Sequence, residues 1–358
     1  MKLSKSSYSG FSGVSKYRIR IILYIAVFWT LIDIVAVLLF KDTALKSPFK
    51  SGLLREVAVF FMSALMGYLF VFTLKNVFRK QSPFVNFIFK SIILLIAAFT
   101  LNFLVHFIDS LLINGKGIRH AMVLSINDML QLKLLMQRII YWMILFIITQ
   151  LYIEINEKYS PGVFIDIITG KYMQPKTEKR IIMFIDLKDS TPIAEKLGHV
   201  ENFKFIRDFI YHVSTAMIEH DGRIYQYVGD EVVVSWMYDK KNTGKCMASI
   251  IEARKNLQKN GNHFRRRYDI IPEFRIGIHM GEVTVGEIGV IKKDLAMSGD
   301  TMNTTARIRS ACNELNQKFI MSKDFMDNSD LKEWQGESLG IVDLKGKAQG
   351  IELFSLKI

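Results

Sequence analysis

The apolar run Arg180–Leu187 (RIIMFIDL) carries Asp186 near its end, and the segment 225–236 (YQYVGDEVVVSW) carries Asp230 in a Gly-Asp step. The first reads as a buried strand. The second reads as part of a hairpin, Arg223–Val228 and Glu231–Met237, joined by the two-residue turn Gly229-Asp230. Taken singly, Asp230 would only serve a turn and Asp186 would only close a strand. In an antiparallel sheet that sets these strands side by side, however, the end of the first lies against the turn of the second, and two carboxylates 44 positions apart converge. Two close carboxylates do not both stay ionised cheaply without a cation between them. Hard oxygen ligands with a phosphorylated substrate select Mg²⁺ or Mn²⁺. Leu187–Thr191 (LKDST) then leads from strand into helix, where free amides suit phosphate oxygens. A helix expected over Thr301–Leu315 sets Asn303 and Arg307 four apart on one face. Together they suit charge stabilisation on a transferring phosphoryl group; alone they would be an ordinary solvated face.

The elements that must position these residues follow from alternating patterns after residue 180. Two helical stretches over Thr191–His220 split near Gly198, and a basic helix spans Thr243–Gly261. A strand pair, Glu273–Met280 and Val283–Ile288, is expected around Gly281, with closing strands at Gly340–Leu344 and Ile351–Leu356. Strand, helices, strand, strand, helix, strand is the order of a ferredoxin-like α+β domain, whose first and third strands are antiparallel neighbours. His279 is read as structural, Arg265–Arg267 as a solvated loop and the 17 Met as core filling. Two cysteines, Cys246 and Cys312, make no disulfide framework and read as reduced thiols.

The other half differs in kind. Of 358 residues, half are hydrophobic and 23% are charged, which excludes intrinsic disorder. Residues 1–156 hold 17 Lys and Arg against 6 Asp and Glu, and residues 157–358 hold 30 against 28, so most of the net +13 lies in the apolar half. That is the pattern of membrane edges, and it speaks against a nucleic-acid partner. Four apolar stretches of 22 to 24 residues, Ile19–Phe40, Leu53–Leu74, Val85–Ile108 and Leu134–Ile155, are long enough to cross a bilayer. The first is too long for a signal peptide and lacks a cleavage site. Arg20, Arg55, Glu56, Arg138 and Glu154 lie near span ends, where long side chains snorkel. Asp33, Lys90 and His106 lie deeper, and the plain expectation is an Asp33–His106 polar pair inside a four-helix bundle. Lys and Arg on the side of the termini number seven, against six in the remaining loops, favouring cytoplasmic termini. Residues 157–179, with breakers at Pro161-Gly162 and Gly170, form a linker that serves equally as a tether or as the path of a signal. The division is therefore a membrane domain over 1–156, a linker over 157–179 and a cytosolic domain over 180–358.

The cytosolic half resembles the catalytic domain of class III nucleotide cyclases of the membrane-anchored bacterial type. The matching pieces are MFIDLKDSTPIAEKLG (183–198), YQYVGDEVVVSW (225–236), FRIGIHMGEVTVGEIG (274–289), SGDTMNTTARI (298–308) and LKGK (344–347). The resemblance implies two Mg²⁺ or Mn²⁺ ions held by Asp186 and Asp230 with the backbone carbonyl of Leu187. It implies a phosphate cradle from the amides of Leu187, Lys188, Asp189, Ser190 and Thr191 with the Thr191 hydroxyl. Asn303 would orient the ribose, Arg307 would stabilise the α-phosphoryl transition state, and Lys345 would meet the terminal phosphates. Sites of this family form between two head-to-tail copies, so a homodimer acting on ATP, with GTP as the alternative, is implied.

The departures concern the base. Adenylyl cyclases of this type commonly read adenine with a Lys and an Asp or Thr, and guanylyl cyclases use Glu and Cys; here the two positions are Gln226 and Ala296. Gln offers both donor and acceptor, and Ala offers neither, so imperfect base selectivity is expected. The favoured reading is an adenylyl cyclase in the inner (cytoplasmic) membrane. Competing readings are a guanylyl or dual-specificity cyclase, a diguanylate cyclase suggested by the VGDE run, and a catalytically silent membrane signalling scaffold.

Overall fold

The structure is a computed structural model that describes residues 13–39, 49–74, 82–113, 115–158, 166, 169–291, 293–329, 335–347 and 349–357. Contacts divide the chain into two compact units, Ser15–Lys158 and the described residues after Lys158.

The first unit is helical. It contains α1 (Gly13–Leu39), α2 (Phe49–Tyr68, continued by a π turn Leu69–Thr73), α3 (Pro83–Ile108, continued by a π turn Asp109–Ile113), α4 (Ile118–Leu130) and α5 (Leu132–Lys158). Four of them hold stretches long and apolar enough to cross a membrane: Arg18–Ala36, Gly52–Thr73, Phe84–Leu112 and Leu135–Ile155. Trp29, Phe70, Leu94, Trp142 and Phe146 make the core, while Leu31, Phe61, Ile96 and Ile144 point outward, an apolar exterior suited to lipid. The short α4 has no counterpart in the expected spans.

The expected Asp33–His106 pair is corrected. Asp33 Oδ1 accepts from Arg55 Nη2 at 2.9 Å and from the Tyr141 hydroxyl at 2.9 Å. His106 instead faces Arg138 at 3.5 Å, and Lys90 donates to Gln150 at 3.1 Å. Arg55 does not snorkel but turns inward, because a fully buried carboxylate draws the nearest opposite charge. The basic residues Lys2, Lys5, Lys41, Lys46, Lys75, Arg79 and Lys80, and the linker breakers Pro161 and Gly162, lie outside the described residues.

The second unit is an α+β sheet domain. Its elements are β1 (Lys176–Leu187), α6 (Ser190–Glu219), β2 (Arg223–Val228), β3 (Glu231–Met237), α7 (Lys240–Lys259), α8 (Gly261–Tyr268), β4 (Phe274–Ile288), β5 (Asp294–Ser298), α9 (Asp300–Glu314), β6 (Phe319–Ser322), α10 (Lys323–Asp327), β7 (Gln335–Val342) and β8 (Ile351–Lys357). The sheet order is β2-β3-β1-β4-β6-β8-β7, with β5 paired to β4. All pairings are antiparallel except β4 with β6. Strand alternation divides β1 between two cores. Ile181, Met183 and Ile185 pack on α6, α7 and α8. Ile182, with Phe184 against it, joins Val233, Val283 and Met302 of the opposite layer. As expected, α6 is kinked at Gly198, whose φ of 69° breaks the helical backbone.

Two expectations are corrected here. No turn divides β4 at Gly281: the strand runs unbroken and Gly281 pairs with Arg180. The glycine serves close approach instead, since a Cβ there would lie 2.5 Å from Thr301 Oγ1. The residues Arg265–Arg267 are helical, in α8, where Phe264 and Tyr268 anchor the buried side and the three arginines stay exposed.

Candidate functional site

The convergence of Asp186 and Asp230 follows from register. Ile185 of β1 pairs with Val232 of β3, so the next step of the ladder sets Asp186 opposite Glu231, one residue beyond Asp230. Directly opposed residues of an antiparallel pair point to one face. Asp186 and Glu231 therefore share a face where β1 ends, and Asp230 in the adjoining turn lies near enough to raise the Asp186 pKa, so Glu231 adds a carboxylate that the sequence reading did not contain. Its signal was present: Glu231 follows Asp230 at once, and the hairpin already defines the pairing.

These carboxylates sit where charge is hard to hold. The side chains of Asp186 and Glu231 are 17% and 12% exposed. Burial pushes the Asp186 carboxyl up to about 6, the Arg309 guanidinium pulls it down, and Asp230 and Glu231 push it up again. Arg309 Nη1 lies 3.3 Å from Asp186 Oδ2 and Nη2 lies 2.6 Å from Glu231 Oε2. Asp230 Oδ2 is buried without a hydrogen-bond partner. A buried, unpartnered carboxylate oxygen beside two further carboxylates is a donor set that fits a hard divalent cation. Among the described residues no three protein ligands already surround one point, so part of the coordination would come from elsewhere, such as substrate phosphates.

The strand-to-helix segment is only partly free. The Leu187 side chain is buried in the core, which leaves its backbone to serve. The Lys188 amide donates to Glu273 O at 2.9 Å, and its Nζ lies 3.1 Å from Glu273 Oε2, so this amide is already spent within the sheet. Asp189 adopts a left-handed φ of 58° ahead of α6 and gives no side-chain cap. The amides of the first helical turn, from Ser190 and Thr191, are thus uncapped, and such groups attract anions. Thr191 is exposed.

Asn303 and Arg307 sit on α9, which is pinned to the sheet. A Cβ at Gly277 of β4 would come within 2.8 Å of both Arg309 Cα and Thr305 O, so only glycine lets the helix lie this close. Thr301 Oγ1 donates to Glu282 O at 2.6 Å and fixes its first turn. At 100° per residue, Asn303 and Arg307 lie about 40° apart around the axis, whereas Arg307 and Arg309 lie about 200° apart. Arg309 points to the carboxylates, and Arg307 goes the other way: its Nη2 would lie 3.2 Å from a Cβ on Gly346. Gly346 belongs to the turn after Leu344, which is held by an ion pair between Lys347 and Asp300. Lys345 is exposed on the same turn. The structure thus gathers Asn303, Arg307 and Lys345 into one group and Asp186, Glu231, Asp230 and Arg309 into another. Arg309 lies on the reverse side of α9 from the Asn303–Arg307 face, so the spacing that marks that face does not mark it.

Gln226 is exposed on β2, next to a register irregularity, and Ala296 pairs with Gly286 in β5. The Tyr225 hydroxyl accepts from Met297 N at 3.0 Å, which ties the residue before Gln226 to the residue after Ala296. His279 is buried and bonded to Ser322 at 2.8 Å, a structural setting as expected.

Residues 172–357 match the family model described as the adenylate and guanylate cyclase catalytic domain. Adenylate cyclase 2 of Rhizobium meliloti (strain 1021) is 29% identical over 206 residues, covering 57% of this chain and 57% of that protein. An adenylate cyclase of Anabaena cylindrica is 24% identical over 216 residues, covering 56% and 42%. The chain thus spans about half the length of these curated relatives. A solved structure of a bacterial light-regulated adenylyl cyclase superimposes with a TM-score of 0.55 at 19% identity, covering 64% of this chain and 67% of that one, a likeness of fold.

Proposed function

The chain belongs to the family of adenylate and guanylate cyclase catalytic domains, and from that premise we propose that it is a membrane-anchored adenylyl cyclase converting ATP to cyclic AMP and pyrophosphate. One observation carries the reading: an acidic group at the end of β1 and a basic, amide-bearing group on the far face of α9, both built on one sheet and turned away from each other. In-line attack of a ribose 3′-hydroxyl on the α-phosphorus needs both, with negative ligands for cations at the triphosphate and positive charge on the reacting phosphoryl oxygens. Opposed in one chain, they meet when two copies associate head to tail, which supports a homodimer with sites between subunits.

Asp186 and Asp230, with the carbonyl of Leu187, would hold two Mg²⁺ or Mn²⁺ ions. Such ions supply activation of the attacking hydroxyl and charge neutralisation at the leaving pyrophosphate. The uncapped amides of Ser190 and Thr191 donate to the β- and γ-phosphates, joined by the Thr191 hydroxyl. From the second copy, Asn303 orients the ribose, Arg307 stabilises charge growing on the α-phosphoryl group, and Lys345 meets the terminal phosphates. Gln226 and Ala296 lie at the base. The four apolar helices support anchoring in the inner membrane, with the catalytic unit on the cytoplasmic side, where ATP and Mg²⁺ are supplied.

A second reading, dual use of ATP and GTP, is favoured by Ala296, which offers no side-chain hydrogen bond to an exocyclic base group. The test is to incubate the purified full chain in detergent with Mn²⁺ and either nucleotide and identify the products. Cyclic AMP in excess over cyclic GMP is expected. Cyclic GMP in excess transfers the assignment to guanylyl cyclase, cyclic di-GMP to diguanylate cyclase, and absence of product leaves a signalling scaffold.

A further inference from the structure

Arg309 has no part in the chemistry above, yet it holds the position that matters most to it. Its guanidinium contacts Asp186 at 3.3 Å and Glu231 at 2.6 Å, and its Nε is buried without a hydrogen-bond partner. Its backbone cannot retreat, because Gly277 brings α9 into direct contact with β4 at that residue. Arg275, in register with Asp186, is drawn instead to Asn313. Arg309 is therefore the one cation in ion-pair contact with these carboxylates among the described residues. With Nε idle and Asp230 Oδ2 left unpartnered, the fit is that of a substitute charge and not of a finished structural salt bridge, in which the fork would be fully used.

We infer that Arg309 is a tethered counter-ion that holds the divalent-metal cradle of Asp186, Asp230 and Glu231 closed until metal displaces it. This rests on the reading of Asp186 and Asp230 as metal ligands. A guanidinium and a divalent cation cannot share the same carboxylate oxygens, because both charges would be repelled at contact distance in a half-buried site. Metal entry therefore requires the Arg309 side chain to swing away while its Cα stays fixed. The chain binds metal less tightly than its carboxylates alone would allow.

The test reads metal binding without turnover. Mn²⁺ affinity of the nucleotide-free full chain in detergent is measured by the paramagnetic resonance signal of the free ion. Arg309→Gln is expected to bind Mn²⁺ about tenfold more tightly or better, because a competing positive charge is gone. Without metal its thermal midpoint falls, and Mn²⁺ restores it. Arg309→Lys keeps the charge but loses the fork, so its affinity lies between the two. Unchanged or weaker binding by Arg309→Gln, or binding by Arg309→Lys as tight as that of Arg309→Gln, overturns the inference. If Arg309→Gln does not fold, a wild-type structure with Mn²⁺ and a non-hydrolysable nucleotide decides: Arg309 away from Asp186 supports the inference, and Arg309 still bonded to Asp186 and Glu231 beside bound ions overturns it. Asp230→Asn separates the two levels. If that variant binds Mn²⁺ as the wild type does, the metal reading itself fails. If it loses Mn²⁺ while Arg309→Gln gains nothing, only the role of Arg309 falls.

Discussion

The acidic and basic groups of the catalytic unit share one helix as their common wall and are built on opposite plans. The acidic group is enclosed: Asp186 and Glu231 are mostly buried, an arginine from α9 is pressed against them, and Asp230 Oδ2 is buried without a hydrogen-bond partner. The basic group is open: Asn303 and Lys345 are exposed, and Arg307 rests beside a glycine turn. Enclosure raises the energy of unpaired charge and so prepares the carboxylates for a cation. Openness leaves the basic side chains hydrated and available to a polyanion. The rotation of about 200° between Arg307 and Arg309 sets the two groups on opposite sides of α9, and on the proposed reading a second copy completes the site.

The sharpest way to break this comparison is at the enclosed side. Asp230→Asn removes a ligand charge and little volume, and it is expected to lower turnover on the order of 10³-fold while circular dichroism and membrane extraction match the wild type. Turnover near wild type would show that the enclosed carboxylates serve only the fold. Next comes the wall itself. Gly277→Ala forces α9 off β4, because a Cβ there meets the helix backbone, and overpacking of this kind costs roughly 1–3 kcal/mol. Its thermal midpoint should drop, with activity lost from both groups at once; an unchanged midpoint would mean that α9 does not need to lie so close. The smallest effect is expected at His279, which belongs to neither group. Burial holds its pKa below the usual 6.5, so the unfolded chain takes up the proton first as pH falls below 6.5, and stability is lost in that direction. His279→Gln should flatten the fall in stability between about pH 6.5 and pH 5 and leave the slope above pH 7 alone. An unaltered acid slope would contradict the buried neutral state of this ring.

How far the molecule was legible in sequence depended on whether local pattern or long-range packing decided each feature. The VGDE hairpin and the β1 run carried their own signals, so the pairing of β1 with β3 beside the β2–β3 turn was legible in the sequence. The five residues of β5 and the four of β6 are too short for an alternation of period two to stand out, and only their neighbours make them strands. Gly281 looked like a turn because glycine in an apolar run suggests one; its actual reason, the approach of Thr301, belongs to an element twenty residues away. The same holds for charge. Arg55 has the position of an interfacial side chain and is the partner of Asp33, and Arg309, which no sequence motif marks, contacts Asp186 and Glu231. Sequence spacing shows which residues share a face, but it does not show which buried charge will claim a distant one.

The most direct measurement mixes two inactive variants. Asp230→Asn lacks the enclosed group's function and Arg307→Ala lacks the open group's, and each alone should be inactive. Co-assembled in equal amounts from a common denatured or co-expressed pool, half the dimers would carry one intact site, restoring about a quarter of wild-type turnover for a site between subunits. Recovery at that level is the predicted result; a mixture that stays as inactive as its parts, while dimers form normally, would contradict a site shared by two copies.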